Sequence, residues 1–324
     1  MNSISVTASV SYTRLAVSTT SGNSRAQTLA GAGANPGTGN AGGPSANSGS
    51  AVILDLSVTA QMTLSQTTTA AASDPADSYY EQFFPTRDGF SSAALAAAVT
   101  DPGAESFSSG KTLDEVAASA RASMDANYSA MAAGGKPFDY NSNEGDDWYS
   151  LMGNLDRRAL YAVSSNQGGQ FTQQEQGIAQ SIMSQQQGLA MGLYSGPTRL
   201  AGNFADPYGG DNPARFAAAV HWLDGVSNDE KSSVAWAMSR ASAQTAYDWT
   251  TDDSQPKQDL DSENPLVKLI RTAMETMKQG AARDHTNGNV NTADDLKKQP
   301  WFQGFDDQLD DAIAQTKALY GISA

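Results

Sequence analysis

The side chains best placed to do chemistry in this chain are oxygen donors arranged at loop spacing. In SSNQGGQFTQQEQ, Ser164, Asn166 and Gly168 fall on alternate positions, the Gln170 carbonyl follows, and Glu175 closes the run. Oxygens spaced this way suit a hard dication such as calcium, with the final carboxylate able to give both of its oxygens. FDYNSNEGDDWYS offers a richer set in Asp139, Asn141, Asn143 and Asp147. A third stretch, RDHTNGNVNTADDL, carries Gly288, Val290, Asn291 and Asp294 in comparable order.

Gly169 takes the sixth, turn-forming place of the first loop, which puts Phe171 eighth and Glu175 twelfth. Gly288 in the same place makes Val290 eighth, Asn291 ninth and Asp294 twelfth. With helices on either side, residues 156–185 and 270–300 therefore resemble degenerate EF-hand helix–loop–helix units. The resemblance implies a calcium-responsive domain with Asn166, Glu175 and Asp294 among its ligands. The middle loop begins with the same spacing but has Glu144 at the glycine place and Gly145 one position late. If any segment holds a cation it is this one, through Asp139, Asn141, Asn143 and Asp147. A second reading stands beside the first. Thr172-x-x-Glu175 is a complete capping box, which explains Glu175 without metal. The first loop has a single carboxylate, and calcium affinity follows the charge count. The residues favour a capping turn there, and an acidic loop feeding a helix N-terminus at 138–150.

Catalytic constellations are scarce. The two histidines are His221, in the apolar run AAAVHWLDG where a satisfied core histidine is expected, and His285 in a polar loop. There is no cysteine, so thiol nucleophiles, disulfides and thiolate metal sites are excluded. No G-x-S-x-G, H-E-x-x-H or Walker pattern occurs, and GAGANPGTG lies in low-complexity sequence rather than between a strand and a helix. Carboxylates beside tryptophan, Asp147 with Trp148 and Trp249 with Asp252, leave a carbohydrate-active enzyme as a third reading.

The elements that must carry these residues divide near residue 74. Beyond it, apolar residues recur at helical spacing in seven stretches: 112–131, 145–165, 172–193, 214–225, 227–249, 262–280 and 303–321. Thr112 with Glu115 and Ser227 with Glu230 read as capping boxes, and Gly225 and Gly280 stand where a helix ends in a left-handed residue. The expectation is a mainly α, irregular multi-helix bundle, with five tryptophans to fill its core. Before residue 74, residues 4–18 and 50–64 alternate apolar and polar side chains, the signal of a short β-ribbon. Ser, Gly, Asn and Ala dominate 20–50, a low-complexity flexible loop. The expected organisation is a low-charge leader, 1–73, and an acidic helical domain, 74–324.

Charge narrows the partners. A net charge of −15 opposes nucleic-acid binding and docking to an anionic membrane, since both need clustered Lys and Arg. No run is long and apolar enough to insert in a membrane, and MNSISVTASVSYTRLAV has no Sec-type signal pattern. The Ser/Thr/Gly-rich leader is similar to leaders of bacterial proteins exported without Sec, and LDLSVTAQ resembles the Leu-Ser-x-x-Ala-Gln segment of flagellum-associated proteins. These resemblances imply a non-enzymatic interaction or assembly protein with a protein partner, either cytoplasmic or secreted by a non-Sec route. No cofactor is expected beyond the calcium weighed above.

Overall fold

Side-chain caps fix where the helices start, and those starts divide the chain more finely than its periodicity does. A computed structural model describes residues 75–252, 254, 256–279 and 290–322. The predicted ribbon (4–18, 50–64) and loop 20–50 lie outside the described residues. The first helices are α1 (Pro75–Glu81), α2 (Ala93–Thr100) and α3 (Leu113–Ala133), followed by α4 (Asp146–Met152), α5 (Arg157–Ser164) and α6 (Gln173–Ala190). Then come α7 (Asn212–Gly225), α8 (Asn228–Lys231), α9 (Val234–Thr250), α10 (Pro265–Gln279), α11 (Ala293–Lys297) and α12 (Asp306–Leu319). The described chain is thus mainly helical, with no strand among the described residues.

Two expected helices are each broken. The stretch 145–165 divides after Gly153, which keeps helical angles and packs against the Ser91 carbonyl, where a Cβ would collide. Asp156 then restarts the chain by accepting from the Ala159 N–H at 2.9 Å. Its other oxygen takes the Phe107 and Ser108 N–H groups, each at 2.8 Å, and this ties the break to the loop before α3. The stretch 227–249 divides because Ser233 caps α9 through the Trp236 N–H. Ser227 does cap α8, but Glu230 does not reach back to close a box; its carboxylate points elsewhere. Gly225 is also not a left-handed cap: it is the last residue of α7, and Val226 follows in extended conformation.

The apolar faces gather into two cores that follow one another along the chain. The first runs from Phe83 to Leu189 and is filled by Phe84, Leu95, Met124, Leu151, Leu160 and Ile182 among others. The second runs from Ala217 to Ala312 and centres on Trp222, Trp236, Ile270 and Phe302. Ala190, at the end of α6, packs against both. We refer to the two halves as the first and second lobes. Burial of this much apolar surface is the main favourable contribution to folding. Among the described residues no helix is long and apolar enough to cross a membrane.

Candidate functional site

Glu175 sits on the first turn of α6, and every part of its carboxylate is engaged. Thr172 is the N-cap, and its hydroxyl accepts from the Glu175 N–H at 3.2 Å. In return, Glu175 Oε2 accepts from the Thr172 N–H at 2.8 Å and its hydroxyl at 3.0 Å. Oε1 accepts from Arg121 Nη1 at 2.8 Å and the Tyr128 hydroxyl at 3.1 Å, both from α3. Burial by itself raises the Glu175 pKa, but the Thr172 backbone N–H, Arg121 and the Thr172 hydroxyl together outweigh it and leave the carboxyl below its ordinary value. Burial, with the Glu175 charge beside it, pushes Tyr128 well above the usual phenol range. Asn166 is left-handed, at φ 54°, and its side-chain oxygen accepts from the Phe171 N–H at 2.9 Å. Both residues of this loop named as cation ligands thus carry internal hydrogen bonds, and a cation would have to displace four donors from Glu175.

The middle loop behaves similarly. Asp147 is buried at the start of α4 and accepts from both Arg87 Nε, at 2.6 Å, and Arg87 Nη2. It also takes the Asp139 N–H at 2.7 Å. Asp139 itself is exposed, and its Oδ1 accepts from the Asn141 N–H at 2.9 Å, an Asx turn. Asn141 and Asn143 are exposed, and Asn143 opens the 3-10 turn Asn143–Gly145. Inside that turn Glu144 is held at φ 50°, a conformation that costs a non-glycine residue about 1 kcal/mol or more. Its carboxylate accepts from Arg199 Nη1 at 2.7 Å, and Asp146 takes the same guanidinium at 3.2 Å. So the acids Glu144, Asp146 and Asp147 each face an arginine.

The third stretch is described only from Val290 onward; Arg283, His285 and Gly288 lie outside the described residues. Here Asp295, not Asp294, closes a capping box with Thr292, and Asp294 is exposed beside it. Among the described residues, no three or more His, Cys, Asp or Glu side chains come together in a group able to hold a metal ion. His221 is exposed rather than in the core, and its Nε2 lies 3.2 Å from Gln258 Oε1. The helical face places Trp222 and Val220 inward and turns His221 out. The acid–aromatic pairs fall on different lobes: Trp148 packs on the first core, its indole donating to the Tyr140 carbonyl, while Trp249 stands 55% exposed near the end of α9.

One group of residues escaped sequence reasoning. Arg157 and Arg158 open α5 and grip Asp229 and Glu230 of α8, across the two lobes. Arg157 donates from Nε to Glu230 Oε2 at 3.0 Å and from Nη2 to Oε1 at 2.6 Å, with side chains 3% and 6% exposed. Its Nη1 serves Gln186 Oε1 and the Met183 carbonyl of α6. The guanidinium lies 4.3 Å from the centre of the Trp222 ring. The Trp222 indole N–H in turn donates to the Ala98 and Val99 carbonyls, which the end of α2 leaves without helical partners. Arg158 meets Asp229 at 2.7 Å. The available signal was two arginines in a first helical turn, where the helix dipole disfavours cations. Such a pair calls for carboxylates from elsewhere. No family model, curated protein or solved structure matches this chain.

Proposed function

We propose that the chain is a non-enzymatic interaction or assembly protein whose helical part offers an acidic surface to a basic or neutral protein partner. One observation carries this reading. Each of the eight described arginines (Arg87, Arg121, Arg157, Arg158, Arg199, Arg215, Arg240 and Arg271) is paired with a carboxylate of the fold. The charge of the described arginines is thus taken up by carboxylates of the fold, while the chain carries a surplus of acid, −15 overall. A surface of that sign draws in cationic partners over a distance and repels copies of itself. The low-charge leader 1–73 fits the same reading as an export or attachment segment of a bacterial protein that leaves the cell without Sec.

The test compares the full chain with residues 74–324 in the producing cell. The proposal expects the full chain in the culture supernatant or at a surface appendage, and the truncated chain retained in the pellet. It also expects the captured partner to be basic or neutral and its binding to weaken as salt rises. Equal distribution of the two forms removes the role given to the leader. A salt-independent complex removes the role given to the acidic surface.

A further inference from the structure

The two cores are joined covalently at one place and clasped at another. We propose that the Arg157–Arg158 and Asp229–Glu230 clasp is a releasable latch, and that the second lobe swings on Gly209–Gly210 when it opens. The proposal concerns motion within the helical part and holds whatever the protein binds.

Three observations place the latch and the hinge. First, what joins the lobes is largely polar. Charge pairs, the Trp222 indole N–H and the stacked guanidinium cross the boundary, whereas the large apolar side chains fall into one core or the other. Where backbone also meets, a Cβ on Gly103 would sit 2.6 Å from the Gly225 carbonyl oxygen and one on Gly225 would sit 3.1 Å from the buried Pro102 ring, so the faces fit closely through small residues. Second, a buried ion pair holds strongly only while both charges are present. Removing one leaves the other desolvated and unpaired, so the joint fails while each apolar core keeps its own packing. Third, the connection is pinned on the first-lobe side and held just before α7 through Asp206, which accepts from the Gly210 N–H and from Arg215. Phe204 packs on the first core, and Tyr208 donates to the Ala190 carbonyl at 2.9 Å. Gly209 and Gly210 follow at φ 58° and 84°, and nothing lies within 4 Å of where their Cβ atoms would be. Two adjacent glycines with open space around them can absorb a large backbone rotation, the property a hinge needs, at the cost of the Gly210 N–H and Arg215 bonds to Asp206, at 2.9 and 2.6 Å.

The chain has no cysteine, so an introduced pair is a unique labelling site. Ala130→Cys on α3 and Ala314→Cys on α12 are exposed positions, one on each lobe. Distances between spin labels there are measured in the full chain, alone and with latch variants. The expected result is one narrow distance in the parent. Glu230→Gln should add a second, longer population, and Arg158→Gln, which removes the outer pair alone, a smaller one. Arg157→Met with Glu230→Leu, which replaces the charges by apolar groups, should return the single narrow distance. The proposal is overturned if Glu230→Gln keeps one narrow distance. It is equally overturned if Glu230→Gln and Arg158→Gln each melt both lobes together in one earlier transition, because the lobes are then a single cooperative block.

Discussion

Glu175 shows how one residue type at one spacing serves two chemistries. A twelfth-position glutamate suits a calcium loop, and a glutamate three places after a threonine suits a helix start; the sequence holds both patterns in the same letters. Legible there was the Thr172–Glu175 box, since its partners are local. Arg121 and Tyr128 were not legible, because they arrive from another helix. The energetics follow from those partners. Thr172→Ala should lower stability by about 1 kcal/mol, the usual loss of an N-cap. Glu175→Ala should lower it by about 1 to 2 kcal/mol, because the half-buried Tyr128 hydroxyl loses its acceptor and Arg121 keeps only Asp125 as a carboxylate partner. Millimolar calcium and a chelator should leave the melting temperature of all three proteins unchanged; a rise with calcium in wild type alone would restore the metal reading. Acid gives a separate check. The folded carboxyl titrates below its ordinary value of 4.5. Its stabilisation is therefore complete above that value and lost as pH falls through the lower folded one. Glu175→Gln has no such carboxyl, so its urea midpoint should fall less steeply than wild type below pH 4.5.

Helix existence was readable from period and caps in the seven expected stretches but not for α1, α2 and α11, which fall outside them, and helix continuity depended on contacts far along the chain. Residues 145–165 keep helical spacing throughout; the restart at Asp156 is a local signal, but the close fit of Gly153 against the Ser91 carbonyl, from a loop more than fifty residues earlier, is not. Likewise Gln185 and Gln186 look like surface residues of a glutamine-rich helix. They are buried, donating to the Phe83 and Leu95 carbonyls at 2.7 and 3.0 Å, and no local pattern announces that. Two glycine substitutions separate local from distant causes. Gly177→Ala lies inside α6 with nothing within 4 Å of the new methyl, so helix propensity should stabilise it by roughly 0.5 to 1 kcal/mol. Gly153→Ala should destabilise by several times that, because the Ser91 carbonyl must move and α2 starts two residues beyond it. Thermal melts of the two single variants measure both. Equal shifts, of either sign, would mean that the break at Gly153 is set by local sequence rather than by packing.

Across the whole molecule, two electrostatic effects compete, and salt tells which is larger. Ion pairs such as Lys268–Glu263 and Lys298–Asp295 lie at the surface, where each is worth about 0 to 1 kcal/mol and is weakened by salt. The net charge of −15 acts the other way, since like charges crowded into a folded chain repel more than in an expanded one. The best-protected pairs, Arg157–Glu230 and Arg87–Asp147, each include a side chain under 5% exposed and are screened least. Salt therefore relieves the repulsion without much touching the attractions that hold the lobes. Raising sodium chloride from about 0.01 M to 0.15 M shortens the screening length from about 30 Å to 8 Å, enough to separate acids on different helices but not partners in contact. The melting temperature should rise over that range and then level off. A fall would mean that the surface pairs outweigh the acid surplus, and that the inward-turned arginines leave less uncompensated charge on the folded surface than their pairing implies.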